Sequence, residues 1–268
     1  RPQMGSKLRE VKTEGVEIII ALDVSNSMLA RDIRPNRLEA AKLSINRMLD
    51  QLKNDKIGLI VFAGNAFTQV PVTTDYGATK MMLASISPGQ IQEQGTAIGS
   101  AIELAMKSFS PLNDKQKALI VITDGENHLD NPVEVAAKAA ENGIRVYAIG
   151  IGDLNGSPIP LGSDLDFKKD REGNVIMTRL DETMLIAIAE AGKGKYVRAN
   201  NSKFGLTALY EEIEKLEKSE LGSSIYSEYE DVFQYFVFLA LIFLLFEFMI
   251  MNRKNKLLER IKLLNMRS

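Results

Sequence analysis

Three short polar fragments, each directly after or beside an apolar run, carry the residues best suited to chemistry. They are Asp23-Val24-Ser25-Asn26-Ser27, Gly95-Thr96 and Thr123-Asp124-Gly125. From these, Asp23, Ser25, Ser27, Thr96 and Asp124 offer two carboxylates and three hydroxyls, with no sulfur or imidazole. All five are hard oxygen donors. That set suits a small hard cation, Mg²⁺ first and Mn²⁺ or Ca²⁺ after it; Mg²⁺ keeps octahedral geometry and usually retains water or an external ligand. Each fragment alone says little, because a D-x-S-x-S loop, an Asp-Gly turn and a threonine before a helix all have ordinary capping or turn uses. Their conjunction carries the weight.

The elements that must position these donors alternate. Val16–Leu22 is a β-branched apolar run that reads as a buried parallel strand ending at Asp23. Asn36 caps a helix over about Arg37–Leu52, with Leu38, Ala41, Ile45, Met48, Leu49 and Leu52 on one face. Ile57–Phe62 gives a second core strand and Thr68–Val72 a third, placed at an edge because Pro71 cannot donate to a ladder. Asp75 caps a helix to Ser85, and Thr96 opens one to about Phe109. Ala118–Thr123 is the fourth strand, Pro132–Asn142 a helix stopped by Gly143, and Ile144–Ile151 the fifth strand. A polar insertion follows from Asp153 to Arg179, with a hairpin turn expected at Arg171–Gly173. Helices at Glu182–Ala191 and Ser202–Ser219 flank a short strand, Lys195–Arg198. Strands alternating with helices predict a doubly wound, mostly parallel sheet of six strands. Asp23, Thr96 and Asp124 then fall beyond the carboxyl ends of strands, near the point where strand order reverses. Thr73 or Thr74, after the edge strand, competes with Thr96 for the third hydroxyl.

Composition excludes several function classes. With 33 basic and 35 acidic residues there is no basic field to attract nucleic acid. Cysteine is absent and histidine occurs once, at His128, so thiolate sites, disulfides, histidine-rich zinc sites and a serine–histidine triad are all unsupported. Gly150, Gly152 and Gly156 follow a late strand and read as a plain turn, not a phosphate loop.

Residues 232–251 are almost wholly apolar, with Glu247 the single charge. About 20 such residues at ~1.5 Å rise cross a hydrocarbon core of roughly 30 Å. Glu228, Glu230 and Asp231 precede the stretch, whereas Arg253, Lys254, Lys256, Arg260, Lys262 and Arg267 follow it. The charge bias predicts a cytoplasmic C-terminus and a head on the far side, periplasmic in a diderm bacterium. The expected organisation is an N-terminal juxtamembrane segment (1–13), a head (14–218), a linker (219–231), a transmembrane helix (232–251) and a basic cytoplasmic tail (252–268).

Over about residues 14–218 the chain resembles the von Willebrand factor A family and its metal-ion-dependent adhesion site. Asp23, Ser25 and Ser27 match the D-x-S-x-S loop, Thr96 the second-loop threonine and Asp124 the third-loop aspartate. The resemblance implies an antiparallel edge strand and hydroxyls that contact Mg²⁺ directly. One or both aspartates would act through water, and a carboxylate from a protein partner would fill the open position. More narrowly, Ala21–Met28 (ALDVSNSM), Asp32–Leu38 (DIRPNRL), Gln94–Gly99 (QGTAIG) and Val121–His128 (VITDGENH) resemble the bacterial aerotolerance-type (Bat) membrane proteins. That implies an inner-membrane location, other von Willebrand factor A or envelope membrane proteins as partners, and association with a MoxR-type AAA+ ATPase. Asn26, Met28 and His128 are the expected rim of a partner-binding face.

A membrane-anchored, Mg²⁺-dependent, non-enzymatic interaction module is therefore the leading expectation. One competitor is a Mg²⁺-dependent phosphohydrolase with Asp23 as nucleophile, which lacks the second acid such an enzyme wants at position 25. Another is a metal-independent membrane scaffold, disfavoured by retention of all five donors.

Overall fold

The computed structural model describes residues 3–8, 15–91, 93, 95–111, 116–126, 130–161, 166–200, 204–221, 227–231 and 233–251. The chain divides into a large unit, Thr13–Leu221, and a smaller one, Arg1–Lys12 with Gly222–Ser268.

The large unit is built on six strands: β2 (Glu17–Asp23), β3 (Lys56–Phe62), β4 (Ala66–Thr73), β5 (Lys117–Thr123), β6 (Ile144–Ile151) and β9 (Lys193–Ala199). Their spatial order is β4-β3-β2-β5-β6-β9, all parallel except β4, which pairs antiparallel at the edge. Pro71 sits in β4, where its missing N–H costs no central ladder bond. From β2 the chain winds outward to β3 and later returns to β2's other side as β5, so the order reverses between β2 and β5. Asp23 closes β2 and Asp124 follows β5, which puts both carboxylates at the mouth of that crevice.

An unbroken apolar strand still has two faces. Ile18, Ile20 and Leu22 of β2 join one core cluster with helices α1 (Arg37–Leu49), α2 (Tyr76–Ser85) and α6 (Leu206–Leu221). Ile19 and Ala21 join the other, with α3 (Ile98–Ser108), α4 (Pro132–Glu141) and α5 (Glu182–Ala191). The helix starts follow local chemistry. Asn36 accepts from Glu39 N at 2.8 Å and Asp75 from Ala78 N at 2.9 Å. Thr96 does not cap α3; Ala97 occupies that position, and the Asp130 carboxylate reaches across to accept from Ser100 N at 2.8 Å. Gly143, with φ +74°, follows α4.

The insertion after β6 folds back as a small arm. β7 (Ser157–Pro158) pairs with β8 (Met177–Thr178), and bridges at Pro160–Phe167 and Lys169–Val175 extend it. Asp170 makes its turn by accepting from the N–H groups of Glu172 and Asn174.

In the smaller unit, β1 (Gln3–Leu8) pairs antiparallel with β10 (Ser227–Asp231), which precedes α7 (Phe233–Met251). α7 is one helix of 19 residues. Among the described residues no helix is long and apolar enough to cross a membrane; within α7, side chains are described only over 237–247. The basic tail expected at 252–268 lies outside the described residues, as do residues 222–226 between α6 and β10.

Candidate metal centre

The first loop folds tightly after β2. Asp23 is fully buried, and its Oδ1 accepts from Ser25 N at 2.8 Å. This turns the chain into a short 3₁₀ helix, Asn26–Leu29. Ser25 and Ser27 are thereby brought to one side, their Oγ atoms 2.9 Å apart. From the neighbouring strand, the Thr123 hydroxyl donates to Asp23 Oδ2 at 2.6 Å and accepts from Gly125 N at 3.1 Å. Gly125 has φ +80°, and a Cβ there would stand 2.8 Å from the Asp181 carbonyl oxygen, so the turn after Asp124 needs glycine. The Asp124 carbonyl accepts from Asp181 N at 2.8 Å, which ties this loop to the start of α5.

Thr96 is buried on a third loop, one residue before the cap of α3. Ala97 N donates to the Ala63 carbonyl at 2.8 Å and Gly64 N to the Glu93 carbonyl at 2.9 Å, so the turn after β3 holds the Thr96 loop at the same end of the sheet. Thr73 is at the other end. It pairs with Ile57 at the start of β3, whereas Asp23 pairs with Phe62 at its finish. Five residues of strand, about 17 Å, separate those ends. Replacement of Thr96 by alanine is therefore expected to weaken Mg²⁺ binding at least tenfold, on the scale of a lost ligand or outer-shell partner, and Thr73→Ala to leave it unchanged. Calorimetry on the two variants separates them, and equal losses in both would remove Thr96 from the site.

The charges of this pole suit a cation. Burial is the main force raising the Asp23 carboxyl, from its usual 3.8 to about 7; the Asp124 charge adds to it, and hydrogen bonds from Ser25 and Thr123 only partly offset it. Asp124 is also pushed up, chiefly by burial, against a Ser27 hydrogen bond and the Arg37 charge. Two buried carboxylates thus face each other at one pole with a deficit of positive charge. The hydroxyls fit the same purpose. Adjacent ligands of an octahedral ion with bonds of roughly 2.1 Å stand about 3.0 Å apart, and the Ser25–Ser27 separation of 2.9 Å matches such an edge. The two hydroxyls are hydrogen-bonded to each other, and the Ser25 and Ser27 side chains also bond Asp23 and Asp124, so hydroxyls and carboxylates form one connected set. Among the described residues there is no cluster of three or more His, Cys, Asp or Glu side chains placed to hold a metal, so a cation here would need hydroxyls to complete its coordination.

Several partners of the site were not anticipated from sequence. Arg37 is fully buried. Its Nε and Nη2 grip both oxygens of Asp32, at 2.9 and 2.6 Å, while Nη1 donates to Asp124 Oδ2 at 3.0 Å and to Thr178 Oγ1 at 3.1 Å. Gly152, φ +145°, lies under the guanidinium; a Cβ there would come within 2.8 Å of Nη2. Glu126 ties the arm to the loop, accepting from Arg179 N at 2.8 Å with its other oxygen 3.1 Å from Thr178 Oγ1.

The expected rim needs one correction. Asn26 is partly exposed, but Met28 is fully buried in the core cluster that includes α1. One turn of 3₁₀ helix carries its side chain inward, so it is not available to a partner. His128 lies outside the described residues.

A family model for the von Willebrand factor type A domain matches residues 17–165. The crystal structure of the conserved hypothetical protein BatB from Bacteroides thetaiotaomicron is 57% identical, covers 76% of this chain and 99% of its own, and superposes with a TM-score of 0.73. An aerotolerance-related membrane protein from Bacteroides fragilis, solved with multiple mutations to serines, is 52% identical over 75% of this chain and 99% of its own, with a TM-score of 0.72. Among curated sequences, an uncharacterized protein of Borreliella burgdorferi is 28% identical over 250 residues, 92% of this chain and 72% of that protein. The chain spans 55%, 50% and 65% of three further curated relatives.

Proposed function

Because the chain belongs to the von Willebrand factor type A domain family, in its Bat-like, aerotolerance-related branch, we propose that it is a membrane-anchored protein-interaction module centred on Mg²⁺. Asp23, Ser25, Ser27, Thr96 and Asp124 would hold the ion, and a partner's Asp or Glu would complete its coordination. The observation that carries this is the buried set of two carboxylates and adjacent hydroxyls at the mouth of the β2/β5 crevice. A dication there, surrounded mainly by neutral hydroxyls, keeps residual positive charge and attracts an acidic side chain.

Asp23 is a poor nucleophile in this setting. Both its oxygens accept hydrogen bonds and the residue is fully buried, so an in-line approach to a phosphate is blocked and the enzyme alternative gains nothing. The Bat-like relatives include a protein named an aerotolerance-related membrane protein, and the apolar stretch 232–251, of which α7 is the described part, would supply the anchor for the same arrangement here. The head would then face the periplasm, and the basic tail the cytoplasm, where the MoxR-type AAA+ ATPase implied by the resemblance would be met.

The test is capture of the tagged full chain from detergent-solubilised membranes. Proteins retained by the wild type in Mg²⁺ are expected to be lost in EDTA, restored by added Mg²⁺, and lost with Ser27→Ala. Recovery of the same proteins under all these conditions would show that the metal face is not the binding surface.

A further inference from the structure

Arg37 is the largest fully buried side chain of the described residues, and it meets the first loop at the Ser27 backbone carbonyl rather than at a hydroxyl. Its fork is fully committed. Two nitrogens clamp Asp32, and the third reaches Asp124 Oδ2, Thr178 Oγ1 and, at 3.5 Å, the Ser27 carbonyl. Thr178 Oγ1 lies 3.0 Å from the same Oδ2. One oxygen of Asp124 is therefore occupied from behind by two groups. The other, Oδ1, takes a longer 3.3 Å contact from Glu126 N, and the Ser27 side chain hydrogen-bonds the same carboxylate from the loop side. Asp23 is restrained in a similar way, each of its oxygens taking a hydrogen bond and the Ser25 side chain adding another.

Carboxylates held like this are oriented to offer an ion one oxygen more readily than two. That distinction separates Mg²⁺ from Ca²⁺. Mg²⁺ takes six ligands at roughly 2.0–2.1 Å, whereas Ca²⁺ takes six to eight at about 2.3–2.6 Å and gains the extra ones largely from bidentate carboxylates. Building on the metal-site reading above, we propose that Arg37 is the ion-selectivity residue of this centre. By holding Asp124 Oδ2 it denies the ion a bidentate carboxylate and keeps the site octahedral and small. Arg37 acts through Asp124 and does not touch the ion, so it is a positioning residue. Only an arginine fork can clamp Asp32 with two nitrogens while a third reaches Asp124; a lysine ammonium keeps the charge but is a single point and cannot span both.

The experiment is calorimetric titration of the full chain in detergent with Mg²⁺ and, separately, Ca²⁺. In Arg37→Lys, Asp124 is free to turn both oxygens forward, and the ratio of Mg²⁺ to Ca²⁺ affinity is expected to fall about tenfold or more, the scale on which outer-shell partners act. Thr178→Val removes the other donor on Oδ2 without changing any charge, and a smaller shift in the same direction is expected; it covers the case in which Arg37→Lys does not fold. Asp32→Asn disturbs the far side of the clamp but leaves the guanidinium on Asp124, so it should lower stability and leave the ratio alone. A ratio unmoved in Arg37→Lys and Thr178→Val, or equal loss of both affinities in Arg37→Lys, overturns the selectivity role and shows a purely structural arginine. Failure of the wild type to bind either ion would overturn the metal site itself, which keeps the two outcomes apart.

Discussion

In EDTA at pH 8, Asp23→Asn is expected to melt at a higher temperature than the wild type, by roughly 5–10 °C, and to gain nothing from added Mg²⁺. Both halves follow from the burial of one carboxylate. Asp23 has its ionisation raised to about 7, first by burial and then by Asp124. A carboxyl raised above its unfolded value contributes stability that is complete below about pH 4 and is lost as pH rises through 7. At pH 8 the ion-free fold therefore carries an ionised buried group at a cost on the order of a few kcal/mol. Asparagine has the same shape. It can accept from Ser25 N and donate to the Thr123 hydroxyl, so it keeps the local geometry without the charge. Mg²⁺ offsets the same cost in the wild type, adding about 2.7 kcal/mol when the ion is at 100 times its Kd. The wild type should accordingly be more stable at pH 5 than at pH 8 in EDTA, a difference that shrinks in Mg²⁺ and in the variant. Differential scanning calorimetry at the two pH values reads all of this. An Asp23→Asn protein less stable than wild type at pH 8 without ion, or still stabilised by Mg²⁺, would remove Asp23 from the centre.

The candidate donors can be read from sequence because each is local to its strand. Asp23 ends an apolar run and its serines follow within four residues, so the loop's chemistry and its place on the sheet are read together. The choice of Thr96 over Thr73 depended on topology, since only the antiparallel pairing of β4 sends Thr73 to the far end of the sheet. Arg37 was not legible from composition. Its partners lie 5, 87 and 141 residues away in sequence, and no local pattern joins them. A signal did exist. Arg37 is the first residue of α1, where a cation opposes the helix dipole, and a local conflict of that kind marks a residue used for something else. Met28 was misplaced for the opposite reason. A loop residue beside two donors suggested a rim, but the 3₁₀ turn after Ser25 directs it into the core. The pairing of β1 with β10 escaped notice because QMGSKL and SEYED show no sustained alternation and lie more than two hundred residues apart.

Replacing Leu241 and Leu245 together with arginine is expected to shift the protein out of the alkali-washed membrane fraction, where the wild type should remain. α7 presents Val237, Phe238, Leu239, Leu241, Phe243, Leu244, Leu245 and Phe246 as exposed side chains. Consecutive residues 243–246 point in every direction around a helix, so this is not one apolar stripe waiting for a core. An all-round apolar helix is stable only when its whole circumference is buried, by protein or by lipid. On the proposed anchor reading, the apolar stretch 232–251 rather than the described helix alone does the crossing: about 20 residues at ~1.5 Å rise match a hydrocarbon core of roughly 30 Å. Leu241 and Leu245 lie near its middle, where each arginine costs about 2.5–3.5 kcal/mol in insertion, enough for the pair to defeat a single anchor. The flanking charges add a direction. With Glu228, Glu230 and Asp231 before the helix and six basic residues after it, protease added to spheroplasts should digest the head and spare a C-terminal tag. A double-arginine variant that stays with the membrane would mean that something other than α7 holds the protein there; a protected head with a digested tag would reverse the topology, and with it the compartment in which a partner's carboxylate can reach the ion.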